Sequence, residues 1–217
     1  MKLTKYTHSC VRLEHEGRIL VLDPGNFSEV SEALEGADYL LITHGHPDHY
    51  DPERVDPYLQ EHPEVRIYAP APVAEQMSRT LPNSQIQAVA GAESITLDGF
   101  NIKTFGGQHA LIHPLIPMIP NVGYFINDNL YHPGDNFVVP DGVNVKTLLV
   151  PIHAPWNKIG EVIDFVASVR APRAYQIHDS LLADSGRTMI GTHTKNFAAR
   201  YGTEFSLLEP KESVEIS

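Results

Sequence analysis

Short apolar runs, each closed by Gly, Pro or Asp, recur along the chain. Val11 and Leu13 alternate with Arg12 and Glu14 up to Glu16-Gly17, as a half-buried strand ending in a turn does. Ile19-Leu20-Val21-Leu22, closed by Asp23-Pro24-Gly25, and Tyr39-Leu40-Leu41-Ile42 are uniformly apolar, which predicts buried strands with a helix between them. Asp51 and Pro52 are suited to the cap and first turn of a helix over Pro52–Glu61. Beyond it the pattern predicts a strand at 65–69, a helix at 72–80, and strands at Ile86–Val89, Ser94–Leu97 and 100–105. Strands at 123–126 and Leu130–His132 flank the hairpin turn Asn127-Asp128-Asn129, and Thr147–Pro151 is a further apolar strand. Ile159, Val162, Ile163, Val166 and Val169 fall at helical spacing up to the stop at Arg170-Ala171-Pro172. A strand at 174–177, a helix at 192–201 and a terminal strand complete the reading.

Strands with interspersed helices throughout predict a layered α/β fold with the helices outside. No linker, low-complexity tract or fixed-period repeat divides the chain, so residues 1–217 are expected to form one domain. The 42% hydrophobic and 20% charged content is that of an ordinary globular protein. The net charge of −11 argues against nucleic acid as a partner, which calls for clustered Lys and Arg. It does not exclude phosphorylated substrates, because bound cations reverse a local field. The single cysteine, Cys10, permits no internal disulfide and reads as a small buried residue. With no apolar leader and no span-length run, a cytoplasmic location is expected; homo-oligomerisation is left open.

The chemistry concentrates in His44-Gly45-His46-Pro47-Asp48-His49, four ligand-type side chains within six residues, directly after a strand. Imidazole and carboxylate are preferred ligands of zinc and related divalent metals, and a strand-to-helix loop is a favoured place for chemistry. The arrangement then recurs: His109 follows Phe105-Gly106-Gly107-Gln108, Asp135 follows Pro133-Gly134, and His153 and His178 each follow an apolar run. If these strand ends share one edge, the groups converge. His113 competes with His109 for its place.

His44-x-His46-x-Asp48-His49, with His109, Asp135 and His178 following in order, resembles the HxHxDH signature of the metallo-β-lactamase superfamily. The resemblance runs from Asp23 to His178. It implies an αββα sandwich, two mixed sheets back to back with helices outside. It also implies a first metal held by His44, His46 and His109, a second by Asp48, His49 and His178, and Asp135 between them. Asp23 would orient ligands without being one. Thr7-His8-Ser9-Cys10 is similar to the Gly-His-Ser opening of the branch with ascorbate-6-phosphate lactonase-like and N-acyl-phosphatidylethanolamine phospholipase D-like proteins, with Thr7 in place of Gly; there His8 would lie close to the site.

The resemblance implies a hydrolase whose two divalent ions, Zn first and Mn or Fe as alternatives, activate a bridging hydroxide. Asp48, His8 and His153 are the candidate catalytic residues, the histidines as proton donors or oxyanion partners. Two divalent cations against two aspartates and a hydroxide leave a slight positive excess, suited to an anionic small molecule: a phosphodiester, a phosphorylated lactone or another ester. Rival readings are an iron-dependent oxidoreductase on the same scaffold and a non-catalytic metal-binding sensor. His132 reads as a hairpin residue and Asp179 as a cap. Trp156 is either a pocket wall or a loop anchor. The Pro-rich stretch 113–120 is either a stiff wall beside the metals or a loop packed on the core.

Overall fold

The computed structural model describes all 217 residues. Fourteen strands form two seven-stranded sheets. The first contains β1 (Lys2–Lys5), β2 (Val11–His15), β3 (Arg18–Leu22), β4 (Tyr39–Leu41), β5 (Arg66–Pro70) and β6 (Ile86–Val89). The second contains β7 (Ser94–Leu97), β8 (Phe100–Gly106), β9 (Val122–Ile126), β10 (Leu130–His132), β11 (Thr147–Pro151), β12 (Arg173–Ile177) and β13 (Glu204–Ser206). The last strand, β14 (Ser213–Glu215), returns to the first sheet beside β1. Each sheet is mixed. Antiparallel β1–β3 passes into parallel β3–β6, and antiparallel β7–β10 into parallel β10–β13.

Helices make most of the parallel crossovers: α1 (Val30–Leu34), α2 (Pro52–Glu61) and α3 (Ala71–Met77) on the first sheet, α4 (Ile159–Val169) and α5 (Asp184–Ala198) on the second. Alternate strand residues therefore have two destinations. Leu13, Leu20, Leu41, Tyr124 and Leu149 meet between the sheets. Val21, Leu40 and Ile67 face outward under α1–α3, while Leu148, Val150 and Ala174 lie under α4 and α5. Burial on both faces is why these strands read as continuous apolar runs. The result is the expected four-layer αββα sandwich.

Several elements depart from the sequence reading. β1 was not foreseen, because Lys2-Leu3-Thr4-Lys5 carries one apolar residue; pairing on both sides, to β2 and β14, secures it. α5 starts at Asp184 rather than at 192 because its buried face is made of Gly191, Thr194 and Ala198, small residues that leave no apolar stripe. In α4 the buried face is Val162, Phe165 and Val166, and Ile159 is exposed. The terminal strand is two strands, one in each sheet, so the C-terminus joins the sheets.

Candidate metal centre

Parallel strands deliver their carboxyl ends to one edge, the usual place for a ligand crevice in α/β sheets. β3 leads to Asp23, β4 runs into Thr43 and His44, β10 leads to Asp135, β11 to His153 and β12 to His178. The His-rich loop is held from both sides. Asn26 N–H donates to the Pro47 carbonyl at 2.8 Å, and His49 and Tyr50 N–H donate to the His46 carbonyl at 3.0 and 2.9 Å. Gly25 passes so close that a Cβ there would collide with the Asp48 carbonyl. The Asp51 carboxylate caps α2 by accepting from Glu53 N–H at 3.1 Å.

Two donor groups form. His44, His46, His109 and Asp135 make one; His8, Asp48, His49 and His178 make the other. Asp135 lies between them. Its Oδ2 is 3.3 Å from His109 Nε2, 3.1 Å from His178 Nε2 and 4.0 Å from His44 Nε2, and its Oδ1 is 3.1 Å from His49 Nε2. His44 Nε2 and His46 Nδ1 are 3.1 Å apart, and Asp48 Oδ2 is 3.4 Å from His178 Nε2. Gly134 permits the Asp135 turn at φ +64°, where a Cβ would strike Asn121 and Thr43. Asn121 then accepts from Asp135 N–H at 2.9 Å and donates to the Pro133 carbonyl at 2.9 Å.

The other ring nitrogens of His44, His49, His109 and His178 are engaged. His109 Nδ1 donates to the Ala110 carbonyl and His178 Nδ1 to the His153 carbonyl, both at 2.6 Å. His49 Nδ1 donates to Asp23 Oδ2 at 2.7 Å. Asp23 also accepts from Thr43 N–H at 2.8 Å and Thr43 Oγ1–H at 2.6 Å, and that hydroxyl oxygen accepts from His44 Nδ1 at 3.0 Å. These bonds place the ring protons on Nδ1 and leave the Nε2 lone pairs facing inward, the arrangement that partners of metal-bound histidines impose. Asp23 thus holds the His49 imidazole directly and the His44 imidazole through Thr43.

Four of the inward atoms have no hydrogen-bond partner. Of seven buried side-chain polar atoms left unpaired, four are His49 Nε2, His109 Nε2, His178 Nε2 and Asp135 Oδ1. Unpaired buried polar atoms cost free energy, so four around one point call for a missing partner. Electrostatics agree. Burial lowers the affinity of His178 for a proton, but the adjacent Asp135 and Asp48 carboxylates push its pKa up to about 9. His49 moves well above the ordinary range, with burial overcome by Asp135 and Asp23. Asp135 is held far below it, with burial overcome by His49 and His178. The carboxylates thus favour positive charge at this point, and a set of imidazole nitrogens and carboxylate oxygens fits zinc, manganese or iron.

His8 is fully buried in a left-handed backbone, φ +67°, as is His178 at φ +58°. Ser180 N–H can only donate, and it points at His8 Nδ1 from 3.4 Å, with Ser180 Oγ at 2.8 Å. Nδ1 is therefore the acceptor, and Nε2–H donates to Asp48 Oδ2 at 3.1 Å. Burial, opposed by that bond, lowers the His8 pKa to about 4. His153 contributes its backbone carbonyl; its half-buried imidazole belongs to neither donor group.

Trp156 does more than the two roles foreseen for it: Nε1–H donates to Asp135 Oδ2 at 2.9 Å. His113 is exposed and accepts from Leu115 N–H, away from the centre. His132 is buried and bonded to the Ser9 carbonyl. Asp179 is no simple cap: it receives Lys5 Nζ, Arg187 Nε and Gln176 Nε2, each at 3.1 Å, and so ties β1 to the segment after His178. The stretch 113–120 stands against the centre as a largely exposed wall.

Residues 2–178 match the family described as the beta-lactamase superfamily domain. Protein Rv0786c of Mycobacterium tuberculosis is 36% identical over 98% of both chains. A UPF0173 metal-dependent hydrolase of Chelativorans sp. strain BNC1 is 27% identical over 100% of this chain and 99% of its own. Among solved structures, Igni18, a metallo hydrolase of Ignicoccus hospitalis, superposes with a TM-score of 0.75 at 18% identity, covering 98% of this chain and 97% of its own. CmlA, a diiron beta-hydroxylase of Streptomyces venezuelae, gives a TM-score of 0.77 at 16% identity over 98% of this chain and 53% of its own. Motif, fold and family match agree, and the chain belongs to the metallo-β-lactamase superfamily.

Proposed function

We propose that the chain is a metal-dependent hydrolase with a binuclear centre, acting on an anionic small molecule. The carrying observation is the set of four unpaired buried atoms around Asp135, flanked by two donor groups without a gap. The relatives' description as metal-dependent hydrolases points the same way. Two divalent ions, zinc or an alternative, would supply a water acidified toward neutral pH and Lewis-acid polarisation of the scissile bond's oxygen. His44, His46 and His109 would hold one ion, Asp48, His49 and His178 the other, and Asp135 would serve both.

The remaining residues position and exclude. His8, with both nitrogens engaged, holds the Asp48 carboxylate rather than moving a proton to a leaving group. Trp156 fixes the Asp135 oxygen and shields one side of the centre. His153, next to His178, is left as the imidazole free to exchange a proton with the leaving group; burial lowers its pKa, so it is neutral in the resting state. A phosphodiester or phosphorylated lactone suits such a centre, as the Thr7-His8-Ser9 opening suggested.

The test is a panel of phosphodiesters, lactones and thioesters offered to the metal-loaded protein and to Asp135→Ala. Hydrolysis of a phosphodiester or lactone that Asp135→Ala abolishes supports the reading. Turnover confined to thioesters rejects the substrate class. Iron with oxygen-dependent turnover and no hydrolysis replaces it with the redox reading.

A further inference from the structure

The two flanks of the centre differ in chemistry. The flank of the second donor group is polar, with His8 bonded to both Asp48 and Ser180. On the other flank a cleft of about 370 Å³ opens beside His46. Pro72 and Val73 of α3 form one wall, and Met118, Ile119 and Pro120 the other. Gln76 is its only polar side chain besides His46, and no charged side chain lines it. The far wall is stiff, with Pro114, Pro117 and Pro120 fixing three backbone angles. It stays apolar toward solvent: Leu111 is 55% exposed, Leu115 86% and Met118 45%. In a chain of net charge −11, so much exposed apolar surface gathered on one segment next to a metal ligand marks a binding surface.

We propose that this cleft is the subsite for an aliphatic substituent of the substrate. The substrate is then an amphiphile: its anionic scissile group meets the centre, its uncharged alkyl or acyl chain passes His46 between α3 and the 113–120 wall, and its polar leaving group faces His153. This rests on the hydrolase reading for the scissile group only. The volume lies at the lower end for small-molecule pockets, enough for one chain and too small for a second ring system of similar bulk. A rigid wall costs little ordering on binding, so chain contacts translate into affinity.

The experiment is calorimetric binding of methyl-, butyl- and octylphosphonate to the zinc-loaded protein, with sedimentation of the same samples. The expected result is a Kd falling two- to fourfold per methylene, set by burial of each CH₂. Met118→Ser should weaken octylphosphonate at least fivefold, and Gln76→Leu should tighten it, with zinc content kept in both variants. Methylphosphonate binding with no gain along the series overturns the subsite and leaves the hydrolase reading standing. A chain-length gain that Met118→Ser does not alter also overturns it. A face that pairs two copies of the chain, seen as a dimer that Met118→Ser dissociates and octylphosphonate does not, overturns it as well. A gain along the series that depends on Met118, with no binding of methylphosphonate, supports the subsite and rejects the anionic centre.

Discussion

Trp156 Nε1–H donates at 2.9 Å to the Asp135 oxygen that also lies within 3.3 Å of His109 and 3.1 Å of His178. One indole thus fixes the lone-pair direction of the carboxylate placed between both donor groups. Its ring packs on Phe137 at 5.0 Å, so Trp156→Phe keeps much of the contact and removes the donor. Metal affinity should fall 10- to 100-fold, with stability lowered by about 1 kcal/mol. Chelator competition measures the first and urea unfolding of the metal-free protein the second; unaltered affinity would show that Asp135 is held without the indole.

Asp23 acts one step further out. It is fully buried and accepts from His49 Nδ1 and from Thr43. Asp23→Asn keeps the shape but presents one acceptor oxygen where two are used. The ion held by His49 should be weakened 10- to 100-fold and more than the ion held by His46 and His109. Stepwise zinc titration resolves the two; equal loss at both sites would place Asp23 in a global structural role.

The buried Lys5–Asp179 pair predicts an asymmetric pair of variants. Asp179→Ala leaves the Lys5 ammonium, 2% exposed, with the Tyr6 carbonyl alone and should cost about 3–5 kcal/mol. Lys5→Met leaves Asp179 with Arg187 and Gln176 and should cost clearly less. Equal losses in urea unfolding would mean that the two charges do not depend on each other as the geometry requires.

His8 sets a pH dependence. Burial lowers its pKa to about 4, so between the ordinary histidine value and 4 the unfolded chain binds a proton that the folded chain refuses. Stability of the metal-free protein should therefore fall as pH drops through that window, with His8 contributing about 3 kcal/mol of the loss. His178 has the opposite sign: pushed up to about 9, it adds stability that is full below its unfolded pKa and lost as pH rises through 9. His44, His46 and His132 are lowered by burial in the same direction, so in His8→Asn, which tolerates the left-handed backbone, the acid-side slope should become shallower without vanishing. Parallel profiles for wild type and variant between pH 4 and 6.5 would assign the slope to another group.

How much of this was legible depended on local pattern. The strands with both faces buried announced themselves as apolar runs. His44, His46, Asp48 and His49 were legible because four ligand types crowd one turn, and His109, Asp135 and His178 because each ends a strand or its turn in a known order. β1 was not, because its stability comes from two neighbours rather than from its own residues. Lys5 reads as a solvated lysine, and its partner Asp179 lies 174 positions away. Ser180 reaches His8 across 172 positions. No periodicity or spacing carries such pairings. Trp156 showed only as an aromatic in a loop; its donor role depends on where the segment after β11 turns.

The central claim is a centre for two metal ions, and elemental mass spectrometry of protein purified without added metal tests it most directly. The account predicts about two zinc or manganese ions per chain, reduced in Asp135→Ala. One ion or none, persisting after reconstitution with zinc, manganese and iron, would contradict it.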